Sequence, residues 1–350
     1  LPKSGPSPLE GKSIHAVISG VLSWQDPGLS SFDKRARKDL ELAKLLETQK
    51  GAQVERLLDE DATRANIKRE LEKAAAKTQA DGVLIFYYAG HGVRGPSGTV
   101  YFASHDLKLN KTDETGLSMR DVEEALSKAP RGAHVLLLGD CCYSGELETV
   151  AQSLNKQGLV AASLTSAESS NLSTANWTFT QTLLDSLAGD ALADRDSDGL
   201  VELGEIAEEV RDAMKFREHQ RAGVHLPAGL QEWPLSKTAT RVAGASNRGN
   251  YVNAPSRKGS RVGRVLDTQK EQATVRFFSY ADAWDETLMT AALTPIRFTS
   301  FAEGTDLTVT WQNKNWPARV TKRNGDFMRI TYPGWPAYWD EWVLDDRIVR

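Results

Sequence analysis

The sequence predicts an α/β chain, a mainly parallel sheet flanked by helices, followed by two small β-barrel units. Three observations carry that expectation. From Ser13 to about Lys237, short apolar runs alternate with amphipathic stretches of helical period, the pattern of strands joined by crossover helices. Beyond residue 260, two segments repeat at a spacing of 55 residues and alternate in polarity with the period of a strand. The charge balance also changes sign: 27 Lys and Arg stand against 35 Asp and Glu up to residue 240, and 16 against 12 after it. A chain of 350 residues has room for more than one domain.

The elements follow in order. Residues 1–12 are rich in Pro, Ser and Gly and read as a disordered N-terminal segment. Residues 13–240 form the α/β domain. It opens with a strand over 14–20 and a helix over 32–49 with Leu40, Ala43, Leu45 and Leu46 on its apolar side. A strand over 54–58 and a helix over 63–78 come next. The continuous apolar run 83–88 is a strand that stops at Ala89-Gly90-His91-Gly92. A helix over 118–129 takes Ser118 as its N-cap. A strand over 135–138 stops at Gly139-Asp140-Cys141-Cys142, and a strand over 159–164 precedes a helix over 179–187. Residues 241–260, with little periodicity and several Gly, Ser and Arg, read as a linker. The β-rich units occupy 261–300 and 301–350.

Composition excludes several classes. No run approaches the roughly 18 apolar residues of a membrane span, which argues against an integral membrane protein. A net charge of −4 argues against a general nucleic-acid binder. Two adjacent cysteines cannot staple a fold or assemble a zinc or iron–sulfur site. The expectation is a cytoplasmic protein, although the chain does not begin with Met and a removed targeting segment stays open.

In sheets of this kind ligands sit at the carboxyl ends of the strands, where His91 and the cysteine pair fall. A cysteine nucleophile needs a nearby base, because the thiolate attacks, and backbone N–H groups aimed at the developing oxyanion. Tyr87-Tyr88-Ala89-Gly90-His91-Gly92 and Asp140-Cys141-Cys142-Tyr143-Ser144-Gly145 resemble the two signatures of caspase-like cysteine peptidases, the metacaspases and orthocaspases in particular. The resemblance covers about 13–237 and implies a caspase-like sheet. It makes Cys142 the nucleophile and His91 its base, with Cys141 at a variable position. It implies an oxyanion hole from the Gly92 and Cys142 amides, and a primary pocket lined by Asp140 and Asp39. Two desolvated carboxylates favour a cation, Arg best because its fork binds bidentately. Cleavage of protein or peptide substrates after Arg or Lys is therefore expected. Ala89 departs from the family pattern, which has Ser there. The segment 146–158, containing Lys156, is a candidate for self-cleavage, as is the Arg-rich stretch 241–264; the rival expectation is a non-catalytic scaffold of the same fold.

Residues 194–205 match the EF-hand loop template, with Asp194, Asp196, Asp198, Leu200, Glu202 and Glu205 at the ligand positions and Gly199 at the turn. Flanking amphipathic stretches suggest a helix–loop–helix. Calcium is the expected ion, structural rather than switching, and no organic cofactor is implied. The family's own calcium site uses other acidic positions; Asp113 and Glu114 fall in about that region.

The repeats are anchored by Gly263-Arg264-Val265 against Ala318-Arg319-Val320, and by Trp284-Asp285-Glu286 against Trp339-Asp340-Glu341. They resemble SH3-like barrels of the Tudor, chromo-barrel or agenet kind. Such barrels bind peptides, so a protein partner is expected. Trp284 and Trp339 read as barrel core, and Trp311, Trp316, Tyr332, Trp335 and Tyr338 as the material for an aromatic cage.

Overall fold

The computed structural model describes residues 8–168, 176–238, 248–279, 283–311 and 313–349. In chain order the first part holds β1 (Ile14–Gly20), α1 (Lys38–Glu47), β2 (Ala52–Leu58), α2 (Arg64–Lys77), β3 (Val83–Ala89), β4 (Gly92–Arg94), β5 (Val100–Phe102), α3 (Thr112–Thr115), β6 (Leu117–Ser118) and α4 (Met119–Leu126). It continues with β7 (His134–Asp140), α5 (Leu147–Lys156), β8 (Val160–Thr165), α6 (Thr178–Leu187), β9 (Leu200–Glu202), α7 (Leu203–Glu218), β10 (Gly223–His225) and β11 (Pro234–Lys237). The central sheet runs β10-β8-β7-β3-β1-β2. Five of its strands are parallel and β10 pairs antiparallel with β8.

Each central strand is apolar on both faces, as a sheet covered on both sides requires. Ile85 and Tyr87 of β3 face α1, α6 and α7 with Leu42, Phe179, Leu183, Ile206 and Val210. Leu84, Phe86 and Tyr88 face α2, α4 and α5 with Ile67, Leu71, Val122, Leu126 and Leu154. Leu71 is fully buried, and its truncation to Ala would cost about 2–5 kcal/mol. The helix starts are locally encoded. The Thr63 hydroxyl accepts from Asn66 N, and Ser118 with Asp121 forms a capping box.

Three expectations need correction. The first helix begins at Lys38 rather than near residue 32, because Arg37 stays extended and reaches across to Asp59. Leu9, inside the segment expected to be disordered, is buried; residues 1–7 lie outside the described residues. The expected linker is not one throughout: 241–247 lie outside the described residues, but Tyr251–Ser256 is already a strand.

The C-terminal part comprises β12 (Tyr251–Ser256), β13 (Gly259–Gln269), β14 (Gln272–Phe278), β15 (Ala283–Met289) and β16 (Thr294–Pro295), then β17 (Asp306–Trp311), β18 (Lys314–Asn324), β19 (Phe327–Thr331) and β20 (Glu341–Val343). Two antiparallel sheets result, β15-β14-β13-β12-β16 and β17-β18-β19-β20. The 55-residue offset maps β12 onto β17 and β13 onto β18 residue for residue. It even maps the register break between Val265 and Asp267 onto that between Val320 and Lys322. A bulge kept at the same place bends both sheets alike. Chain leaving the edge strand β15 returns as the opposite edge β16 after one 3-10 turn, while the ladders among the described residues form open runs rather than a closed ring. Both sheets lie against α7: Arg264 pairs with Glu209, Lys215 with Asp326 and His219 with Asp346. No helix among the described residues is long and apolar enough to cross a membrane.

Candidate active site

Parallel pairing of β3 with β7 sets Ala89 opposite Asp140, so His91 and Cys142 each lie two residues beyond the same rung. Both line one cavity of about 130 Å³, together with Gly90, Asp140, Asn176 and Trp177. The main chain at Gly92 runs so close to Cys142 that a Cβ there would stand 1.8 Å from the Cys142 carbonyl oxygen; only glycine permits this approach. Past the cysteine, Tyr143 takes a left-handed conformation with φ of 58°, a strained turn for a non-glycine residue. Ser144, fully buried, anchors that turn through its hydroxyl to the Ala167 carbonyl at 3.3 Å.

The orienting partner of His91 is a backbone atom. His91 Nε2 lies 2.8 Å from Ser30 O. A carbonyl only accepts, so Nε2 carries the proton and Nδ1 is the basic nitrogen of the neutral ring. The ring sits between Trp24 and Phe32, with centroids 4.4 and 4.5 Å away. Burial lowers the His91 pKa, and the bond to Ser30 only partly opposes it, so the imidazole is neutral and basic near pH 7. The two thiols differ: Cys142 is half-buried, while Cys141 is buried in the core and its pKa is pushed well above the usual thiol value by that burial.

The two acids of the expected primary pocket are treated differently by the fold. Asp140 lines the cavity. Its carboxylate accepts from Thr180 at 2.6 Å, and burial pushes its pKa up to about 7 despite the hydroxyls of Thr180 and Ser166. No cation pairs with it among the described residues. Asp39 does not line that cavity. Its carboxylate, fully buried, pairs with Arg37 Nη2 at 2.6 Å, and Arg37 also holds Asp59 and donates to Gly20 O.

Lys156 is exposed at the last turn of α5, whose Leu147, Val150, Ala151 and Leu154 are buried. The segment 146–158 is thus a packed crossover helix, not an open connector. Cleavage after Lys156 would require that turn to unwind.

In the acidic loop, carboxylate oxygens of Asp194, Asp196 and Asp198 lie within 4.8 Å of one another. Gly199 has φ of 95°, and Leu200 begins β9, which pairs with β11. Glu205 accepts from the Asp196 and Glu202 amides. Burial, then the facing Glu205 and Asp198, push Glu202 up to about 8. That crowding of carboxyl groups is what a divalent cation would relieve, and the donor set fits calcium. The incoming helix differs from expectation: α6 ends at Leu187, and residues 188–193 separate it from Asp194.

Sequence reasoning did not find Ser30, Trp24, Phe32, Asn176, Trp177 or Thr180. A carbonyl can come from any residue type and leaves no signature, and ring contacts across the sheet end are set by packing.

A caspase-type α/β sheet with a thiol and an imidazole at its carboxyl edge is what these elements define. The family model described as the caspase domain matches residues 33–239, more than half of the chain, and the protein belongs to that family. Among curated relatives, Metacaspase-9 of Arabidopsis thaliana is 29% identical over 140 residues, covering 38% of this chain and 39% of the relative. Inactive metacaspase-4 of Trypanosoma brucei brucei is 33% identical over 91 residues, covering 25% and 26%. The chain therefore spans about two fifths and one quarter of these relatives' lengths. Solved structures include a protein of Geobacter sulfurreducens (TM-score 0.45, 17% identity, 65% of this chain and 99% of that one) and Caspase-1 from Spodoptera frugiperda (TM-score 0.43, 14% identity, 61% and 86%).

Proposed function

We propose that the protein is a cysteine endopeptidase that cleaves after Arg or Lys. The observation that carries it is the rung Ala89–Asp140, which sets His91, Cys142 and an unpaired buried carboxylate around one cavity. His91 Nδ1 takes the Cys142 proton, and the thiolate attacks the scissile carbonyl carbon. The amides of Gly92 and Cys142 hold the oxyanion. On collapse the C–N bond breaks, and His91 gives its proton to the leaving amine. The same nitrogen then deprotonates the water that hydrolyses the thioester. Ser30 O keeps the ring in the required tautomer throughout. Asp140 takes the substrate cation, with Asp39 acting behind it by holding Arg37.

Calcium at Asp194, Asp196, Asp198, Leu200, Glu202 and Glu205 supports this domain structurally, since α7 starts inside the loop and carries much of one core face. The two β-rich units act as SH3-like protein-docking modules.

The test is release from fluorogenic peptides ending in Arg, Lys or Asp, with calcium or chelator, beside Cys142→Ala. Release after Arg and Lys that vanishes in the variant supports the reading. Release after Asp overturns the role of Asp140. No release from any peptide favours a non-catalytic scaffold.

A further inference from the structure

A second cavity, of about 640 Å³, lies beside the catalytic one and is built jointly by the two parts of the chain. Gly92 and Tyr143 line it, and these are the residues peptide-bonded to His91 and Cys142. Its opposite wall is aromatic, from Trp311, Trp316, Trp335, Tyr338 and Trp339 of the second β unit. Trp335 packs edge-on against both Trp316 and Trp339, so the wall is one contiguous assembly rather than scattered rings. Five large apolar side chains stand out as exposed among the described residues, and three of them, Leu109, Trp335 and Tyr338, line this one cavity. An apolar surface concentrated next to a catalytic cleft marks a binding site.

Charge decides what it binds. Glu341, the one acid in the lining, has both oxygens engaged by Arg347 at 2.6 and 2.9 Å, and Tyr332 donates to it as well. The cation of the lining is the protein's own: the Arg94 guanidinium lies 4.9 Å from the Tyr143 ring centroid and 5.5 Å from that of Tyr338. A cationic guest would meet Arg94 with no free carboxylate to receive it. An apolar or aromatic side chain needs no counter-charge and suits such a wall, and a polypeptide supplies one beside its scissile bond.

We propose that this cavity is a specificity subsite for the leaving-group side of a polypeptide substrate, taking a large apolar or aromatic side chain within the first few residues after the scissile bond. The proposal rests on the peptidase reading above. Asp140, the proposed receptor of the residue before the cut, lines the catalytic cavity and not this one, while Gly92 and Tyr143 line this one; with an extended chain advancing ~3.3 Å per residue, a residue close after the cut is the one that reaches this wall. The second β unit is in this view part of the substrate cleft, held there by the pairings of α7.

The test uses the full chain in two arms. In the first, fluorescein-labelled decapeptides containing one Arg bind to Cys142→Ala protein, read by anisotropy. Trp is placed in turn at each of the four positions after Arg, with Ala elsewhere. One placement should bind about tenfold or more tighter than the all-Ala peptide, and that gain should vanish in Trp335→Ala and Tyr338→Ala. Equal affinity for all placements overturns the proposal, as does tighter binding of a trimethyl-lysine peptide than of the Trp peptide. In the second arm, the kcat/KM ratio of the extended Trp substrate to a short Arg-coumarin substrate should fall about tenfold in Trp335→Ala; an unchanged ratio overturns it. Absence of cleavage of either substrate by wild-type protein sinks the peptidase reading, while the binding arm still judges the cavity.

Discussion

Two corners of the same sheet edge carry a buried carboxylate each, and the fold gives them opposite characters. At the α1 corner Asp39 is paired with Arg37, which bridges to Asp59. Burial alone would raise Asp59, but the Leu22 amide and the Lys34 and Arg37 cations outweigh it and hold its carboxyl below the ordinary range. At the cavity Asp140 has neutral donors, the Thr180 and Ser166 hydroxyls and the Thr180 amide, and its pKa rises to about 7. A carboxylate that already has its cation is structural; one left with neutral donors still has an interaction to offer. The family resemblance puts both acids in one pocket, whereas the structure gives a cation to Asp39 and neutral donors to Asp140.

The largest effect should come from breaking the receptor. Asp140→Asn should lower kcat/KM for Arg-terminated peptides by on the order of a hundredfold or more, because a desolvated substrate cation loses its counter-charge. Asp39→Asn should cost less activity per folded molecule, and a loss equal to that of Asp140→Asn would erase the distinction.

Stability should show the reverse order. Asp39→Asn leaves half-buried Arg37 with one acid instead of two and should lower the unfolding free energy by about 3 kcal/mol, measured by urea denaturation. Asp140→Asn should stabilise, but only at high pH. Because the folded protein holds the Asp140 proton more tightly than the unfolded chain does, its ionisation removes stability as pH rises from about 4 to 7. The gain should therefore be absent at pH 4 and present at pH 8.

The same group should shape the pH profile. With Asp140 protonated the pocket offers no charge, so kcat/KM for Arg substrates should rise about tenfold per pH unit up to about 7 and then level. His91, lowered by burial, titrates beneath that limb. Asp140→Asn should remove the limb near 7; its persistence would reassign it to another group.

The smallest effect concerns the acidic loop. Calcium at ten times its dissociation constant should add ~1.4 kcal/mol and raise Tm by a few degrees. Asp194→Ala should abolish the shift, since Asp194 is the buried one of the three Asp residues.

The sequence by itself determined the alternation of strands and helices, the helix cap at Ser118, the 55-residue repeat and the family. Apolar periodicity, capping chemistry and motif order are local or translationally repeated properties, and they are legible without contacts. It also named His91 and Cys142 together, since each motif ends an apolar strand. Only the tertiary structure decided which atom orients His91, because Ser30 acts through its carbonyl. It alone decided that Arg37 belongs to Asp39 and leaves Asp140 unpaired, since charge pairing depends on which loops meet at the sheet edge. It also decided where the repeat begins, twelve residues earlier than its first conspicuous motif at Gly263, because a strand becomes a strand through its partner. Last, it set the Trp-rich wall of the second β unit against the turn that carries Cys142, a juxtaposition made by contacts to α7 and by no pattern along the chain.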